Sequence, residues 1–278
     1  MKKKTILMSV VVFLSAAGLA QAQQGELHGA VDLTYQSKYV WRGFDVYGDK
    51  SAIQPSIDLD LYGTGFGVSL MGHRANSGEF ENSERWDYTL YYYNSLFEGE
   101  TYVTNYRLDW VYYNYPDNSS HTTSSLDLQE INTIFSWPKI LPIEGLVPSY
   151  VLVKLWPSNS GTIVGARSPT GGTASGWAHI FMLDYPLTVP GFLPETPEQV
   201  LNLHTELIYN DGVAPDGGGA RGPADHDWSN AVFGVSTDFD LGNNLSFTPG
   251  IYHQITMDDS INDDKDETWV ALNVRYKF

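Results

Sequence analysis

The chain has 278 residues, no cysteine and a formal net charge of −17, which excludes disulfide frameworks, thiol catalysis and thiolate metal sites together. So acidic a protein has no surplus of cations to displace phosphate counterions, which argues against nucleic-acid binding. Aromatic residues make up 14%, with 18 Tyr and 8 Trp, a content suited to side chains that sit half in lipid and half in water.

Lys2, Lys3 and Lys4 precede an apolar run over residues 6–20 that ends in Ala20-Gln21-Ala22. Basic start, short apolar core and small-x-small site predict a secretory signal peptide over 1–22, too short to be a spanning helix. With no cysteine at the cleavage site, no lipid anchor is expected. Residues 23–278 then form one domain in or beyond a Gram-negative envelope, and no other long apolar run interrupts them.

The first mature segment, residues 27–42, alternates for its whole length. Leu27, Val31, Leu33, Tyr35, Tyr39 and Trp41 fall on one face and His28, Asp32, Thr34, Gln36, Lys38 and Arg42 on the other. Successive strand side chains point to opposite faces, so this predicts one long strand with a greasy side and a wet side. After a loop over 43–51, Ile53, Pro55, Ile57, Leu59 and Leu61 alternate with Gln54, Ser56, Asp58 and Asp60. A tight turn at Gly63-Thr64-Gly65 leads into strands predicted around 66–72, 86–92, 102–112 and 125–137, the last with a bulge near Glu130. Residues 149–156 form the next strand, with Val151, Val153 and Leu155 predicted outward. Strands at 176–185 and 201–209 follow, separated by a proline-rich segment over 186–197 that reads as rigid connection. Strands at 231–239 and 245–251 join through Gly242-Asn243-Asn244, and an acidic loop over 257–267 precedes the last strand.

That last strand, residues 268–278, carries Val270, Leu272, Val274, Tyr276 and Phe278 on one face and Trp269, Ala271, Asn273, Arg275 and Lys277 on the other. A chain ending on an aromatic residue, with Tyr276 two places before it, resembles the C-terminal recognition strand of outer-membrane barrels. Tyr276 and Phe278 are therefore the expected signal to the barrel assembly machinery. The count is about twelve strands, an even number, and the connections after odd-numbered strands are mostly the long ones. Both features predict an all-β fold, a single antiparallel transmembrane β-barrel in the cell outer membrane, with lipid and lipopolysaccharide as its surroundings.

Several stretches resemble the Gcw-chp group of bacterial conserved hypothetical outer-membrane proteins. They are Ser37-Lys38-Tyr39-Val40-Trp41-Arg42-Gly43, Ala52-Ile53-Gln54-Pro55-Ser56-Ile57-Asp58-Leu59, Gly65-Phe66-Gly67-Val68-Ser69, Trp86-Asp87-Tyr88, Tyr113-Asn114-Tyr115-Pro116-Asp117 and Leu126-Asp127-Leu128-Gln129-Glu130. They cover roughly residues 30–130. The resemblance implies an outer-membrane barrel and brings no catalytic set.

The polar faces converge on a lumen, whose predicted inward set includes Asp32, Lys38, Arg42, Asp58, Asp60, Asp87, Arg107, Asp109, Lys154, Glu206, Asp238, Arg275 and Lys277. Opposed acids and bases in a narrow pore orient a polar solute, which makes Arg42, Asp58, Asp60, Arg107, Asp109 and Arg275 the candidate selectivity residues. The same charges, paired, could instead brace a closed barrel, with Arg42 pinning the first loop and the outer loops supplying a structural or surface role. An outer-membrane hydrolase is a third reading: His204 and Glu206 share a face, but no serine can be placed beside them. His28, His73, His179 and His253 fall in separate strands and read as lone polar lumen histidines. The run Asp258, Asp259, Asp263, Asp264, Asp266 and Glu267 lacks calcium-loop spacing and reads as a solvated acidic loop. No G-x-S-x-G, H-E-x-x-H or phosphate loop occurs. No enzyme activity, cofactor or metal is expected; the expected cargo is a small polar solute or ion.

Overall fold

A computed structural model describes residues 26–117, 127–158, 175–192, 196–212, 226–259 and 261–278; the expected signal peptide lies outside the described residues. Twelve strands follow one another: β1 His28–Gln36, β2 Ala52–Asp60, β3 Phe66–Ala75, β4 Arg85–Leu96, β5 Thr104–Asn114, β6 Leu128–Ser136, β7 Val147–Pro157, β8 Gly176–Pro190, β9 Glu198–Asp211, β10 His226–Thr237, β11 Leu245–Thr256 and β12 Glu267–Lys277. After Asp238, β10 continues as Phe239–Gly242 in its hairpin with β11. Each strand pairs antiparallel with its neighbours, and β12 returns to β1 with Ala30 opposite Lys277 and Gln36 opposite Ala271. The sheet is a closed barrel. Its seam is finished by the terminal residue, where Gly29 N–H donates to Phe278 O at 2.9 Å and Phe278 N–H to Gly29 O at 3.0 Å.

The alternation explains the closure. Val31, Leu33, Tyr88, Leu108, Trp110, Phe181, Ile251 and Val270 are large apolar side chains left exposed, whereas Asp32, Gln54, Arg85, Glu130, Asn230 and Gln254 are buried. A water-soluble protein would reverse that distribution; a barrel with a lipid-facing wall requires it. Strands of nine residues or more suffice to span a hydrocarbon layer when tilted. Tight connections sit at the end carrying the chain terminus. Asn243 and Asn244, both at positive φ, form the two-residue turn between Gly242 and Leu245.

Four expectations are corrected by the pairing. The first strand ends at Gln36, because Ser37 Oγ accepts the Val270 N–H at 2.9 Å and ends the regular ladder. The start of the segment expected as connection, residues 186–190, is strand: Pro186 lies opposite Asn202 and Pro190 opposite Glu198. Here β8 has outrun β7, whose pairing stops at Asp184, so the prolines occupy a sheet edge where a missing donor costs little. No bulge occurs near Glu130; β6 keeps register with both neighbours, and register shifts lie instead between β9 and β10, where Ser229 is passed over opposite Ile208 and Tyr209, and at Asp240/Gly242.

The fourth correction concerns β7. Val151, Val153 and Leu155 are buried in the barrel interior, so Lys154 points outward, where its ammonium lies 4.9 Å from the exposed Trp177 ring. Both faces of β7 are apolar enough that alternation alone could not choose between them. His179 and His253 are also on outward faces, alternating with lumen residues such as Ile180 and Gln254.

Candidate functional site

The lumen is shaped by the segment after β1, which folds into the barrel. Val40–Trp41 pairs with Phe44–Asp45 across Arg42 and Gly43, whose φ values of 52° and 90° make a tight two-residue turn. Gly43 is required twice over. Its φ disfavours any side chain, and an added Cβ would stand 2.8 Å from Ile261 and 2.9 Å from Asn230. Gly43 O accepts a 2.8 Å hydrogen bond from Gln254 Nε2 on the barrel wall.

Arg42 reaches across the lumen to β6, where Nη2 donates to Glu130 Oε1 at 2.6 Å and lies 3.4 Å from Asn132 Oδ1. Trp41 packs edge-on against Tyr113 with centroids 5.3 Å apart. Arg85 lies over both rings, 3.9 Å from Trp41 and 4.5 Å from Tyr113, while its Nε pairs with Asp87 at 2.9 Å. Asp87 also takes His73 Nε2 at 2.8 Å, and His73 stacks on Tyr39 with centroids 4.8 Å apart. Tyr47 O–H donates to His73 O at 2.8 Å. The hairpin is therefore held from several sides.

The acidic segment before β12 joins this assembly. Ile261 is fully buried against Phe44, and Asp45 N–H donates to Asn262 Oδ1 at 3.1 Å. Lys38 bridges Asp49 and the buried Glu267. The segment over 257–267 is thus anchored at Asp258, Ile261 and Glu267, which are buried, while Asp259, Asp263, Asp264 and Asp266 stay exposed as its charge suggests. Asp45, Asp49 and Glu267 come close enough to hold a cation, but the Lys38 ammonium already sits on two of them.

That clasp has a defined pH dependence. Lys38 lowers the Asp49 carboxyl below its usual range, chiefly through the hydrogen bond, and the two carboxylates raise the Lys38 pKa above its usual value. A lowered carboxylate contributes stability above its ordinary pKa and loses it as pH falls through the folded value. A raised lysine contributes below its ordinary pKa and loses it as pH rises through the folded value. The clasp is expected to hold across the neutral range and to open on acidification below about pH 4. Single-channel recording at stepped pH checks this; identical traces at pH 7 and pH 3 in the wild type, or the same acid response in Lys38→Met, would refute it.

One side of the hairpin is filled. Val111, Leu128, Val151, Val153, Leu155 and Ile180 form an apolar cluster on the inner wall against which Trp41 packs. The other side is open, with a cavity of about 330 Å3 bounded by the hairpin tip, β1 and β9–β12.

Toward the turn end lie most of the remaining candidates. Asp58 Oδ1 accepts from Tyr91 O–H at 2.9 Å; Asp60 accepts from Tyr93 O–H and from Gly63 N–H at 2.7 Å, which places it beside the turn. Arg107 Nε donates to Asp109 at 2.7 Å with its guanidinium 3.9 Å over Tyr91. Arg275 Nε donates to Asp32 at 2.7 Å. So Arg107, Asp109, Asp58 and Asp60 form one network through Tyr91 and Tyr93, Arg275 belongs to a second, and Arg42 belongs to the hairpin. Arg42, Arg85, Arg107 and Arg275 each have a carboxylate partner: Glu130, Asp87, Asp109 and Asp32. Asp58, Asp60 and Asp238 bond to hydroxyls instead. Asp184 and Glu206 share His204, at 2.6 Å from Nδ1 and 3.0 Å from Nε2. The described lumen therefore carries a surplus of acid. Sequence reasoning missed Glu130, Arg85 and Gln254. Glu130 could have been found from its two-residue step to Asn132, but the other two gain meaning only from the hairpin above them.

No protein-family model matches the chain, and no curated protein matches it in sequence. Solved structures do match. The NanC porin aligns over 90% of this chain and 100% of its own, at 10% identity and TM-score 0.51. The fold is that of an outer-membrane porin. The KdgM porin in complex with disordered oligogalacturonate covers 90% of this chain and 99% of its own, at 10% identity and TM-score 0.47. An outer membrane channel from Pseudomonas putida F1 covers 91% and 96%, at 12% identity and TM-score 0.49. At such identities the likeness extends to the fold alone.

Proposed function

We propose that the protein is an outer-membrane channel that passes small polar solutes or ions through a lumen narrowed by the hairpin at 40–45. The observation that carries this reading is the asymmetric filling of the lumen. The hairpin packs tightly on the β5–β8 side and leaves a polar cavity on the β9–β12 and β1 side. Arg42 is the pin that places the constriction. Asp58, Asp60, Arg107, Asp109 and Arg275 set the field below it, and the acids outnumber the bases there. Fixed charges lining a narrow path select ions of opposite sign.

Planar-bilayer recording tests this. The wild type should show discrete steps with cation preference, and Asp58→Asn/Asp60→Asn should lower the cation-to-anion permeability ratio by about twofold or more. Protein shown to be folded that gives no steps would defeat the channel reading. It would favour a closed barrel with a structural or surface role, the reading that the apolar inner cluster best supports. A hydrolase is disfavoured because both ring nitrogens of His204 are taken by carboxylates, leaving none to activate a nucleophile. The stretches shared over roughly residues 30–130 support membership of the Gcw-chp group; a member whose equivalent of 37–43 stays outside its barrel would count against it.

A further inference from the structure

The strands from β8 to β11 contain no arginine and no lysine, and β9–β11 wall the open side of the lumen. Arg42, Arg85, Arg107 and Arg275 stand instead on the hairpin, β4, β5 and β12, each against its own carboxylate. Three acids face inward along the arginine-free wall: Asp184 low on β8, Glu206 on β9 and, directly after β10, Asp238. Glu198 lies lower still, on the part of the β8–β9 hairpin that outruns β7. The cation among the three acids is His204.

His204 holds two of them. Its Nδ1 lies 2.6 Å from Asp184 Oδ1 and its Nε2 3.0 Å from Glu206 Oε1. A carboxylate only accepts, so both ring nitrogens donate and the imidazole is in its cationic form. Asp238 accepts from Asn202 Nδ2 at 3.1 Å and from Thr248 Oγ1, neither of which carries charge. Glu206, His204 and Asn202 follow at two-residue steps on β9, which spreads the three carboxylates along about 13 Å of wall. These groups have surface in the lumen. The side chains of Asp184, Glu206 and His204 are 47%, 28% and 25% exposed, and Asp238 is exposed. His204, Glu206 and Thr248 border the cavity beside the hairpin. Gly234 stands opposite both His204 and Tyr252, and a Cβ added to it would lie 2.5 Å from the Tyr252 ring. That ring therefore lies along the wall beside His204 and not across the lumen.

We infer that His204 is a specificity-determining residue of the open path: it cancels one carboxylate of this acidic wall and so sets how strongly the channel prefers small cations. The inference rests on the channel reading above and narrows its cargo to small cations. Three carboxylates against one imidazolium leave two negative charges in excess on this side. Spaced along the path, they give a cation several weak stations, which is what entry and release both require. On the adjoining β12, Arg275 is paired with Asp32, and Lys277 is the strand's last residue.

Reversal potentials across a planar bilayer in a KCl gradient test this, with folding of each variant checked by heat-modifiable migration on gels. His204→Gln keeps a hydrogen-bonding side chain but removes the positive charge, and should raise the potassium-to-chloride permeability ratio about twofold. Glu206→Gln and Asp238→Asn should each lower it about twofold. The double variant His204→Gln/Glu206→Gln has the wild-type charge excess and should return the ratio to the wild-type value, a compensation that lost packing would not produce. Glu98→Gln removes the same charge from the exposed β4–β5 turn and should change nothing. The inference is overturned if His204→Gln leaves the ratio unchanged or lowers it, or if Glu98→Gln acts as strongly as Glu206→Gln. Should His204→Gln fail to fold, Glu206→Gln and Asp238→Asn decide, and no fall in either refutes it. Conductance steps whose selectivity none of these variants moves would sink the inference and keep the channel. Folded wild-type protein that gives no steps would remove both.

Discussion

Arg42→Ala is expected to raise single-channel conductance and lower the denaturant midpoint in the same protein. Glu130 is 1% exposed and its carboxylate is held by Arg42 at 2.6 Å. Removing one partner of such a pair leaves a buried charge uncompensated, a loss of about 3–5 kcal/mol. Water entering beside the freed hairpin would recover part of that loss. The hairpin would keep its Gln254 and Lys38 contacts but lose the bond that carries it across the lumen. Arg42→Met/Glu130→Leu separates the two effects. An apolar pair of similar volume should restore much of the stability, and because it joins the existing apolar cluster it should also restore the low conductance. If Arg42→Ala destabilises the barrel without changing conductance, the hairpin is a brace and not the constriction.

Arg85→Met should destabilise by a similar amount, about 3–5 kcal/mol, seen as a lower urea midpoint and earlier loss of heat-modifiable migration on gels. Arg85 is 2% exposed, and its guanidinium is both the counter-ion of Asp87 and the surface on which Trp41 and Tyr113 rest. Methionine fills the volume but leaves Asp87 with His73 alone. Arg85→Lys is the informative control, since it keeps the charge and loses the planar group that stacks. An intermediate midpoint is expected for it. If lysine matched wild type, charge pairing alone would explain the site; if methionine matched wild type, the assignment of Arg85 as the hairpin's support would fail.

The sequence by itself determined the barrel. A strand with lipid on one side and a wet lumen on the other writes that difference into every second residue, so β1, β2 and β12 were legible from local order alone. An even number of such strands ending on Tyr276 and Phe278 then implied closure of the last strand on the first. Where both faces of a strand are apolar the local signal fails. Val151, Val153 and Leu155 read as outward from sequence because Tyr150, Leu152 and Trp156 alternate with them, and only pairing with β6 and β8 decides which set faces inward. The inward hairpin was beyond sequence reasoning for a different reason. Its alternation continues that of β1 and reads as more strand, while the residues that hold it, Arg85, Glu130, Gln254 and Glu267, lie far along the chain and on other walls. Closing the barrel is what sets a buried carboxylate opposite Arg42. The division of the lumen into a filled side and an open side follows from that tertiary contact, because a paired charge can be buried there and an unpaired one cannot.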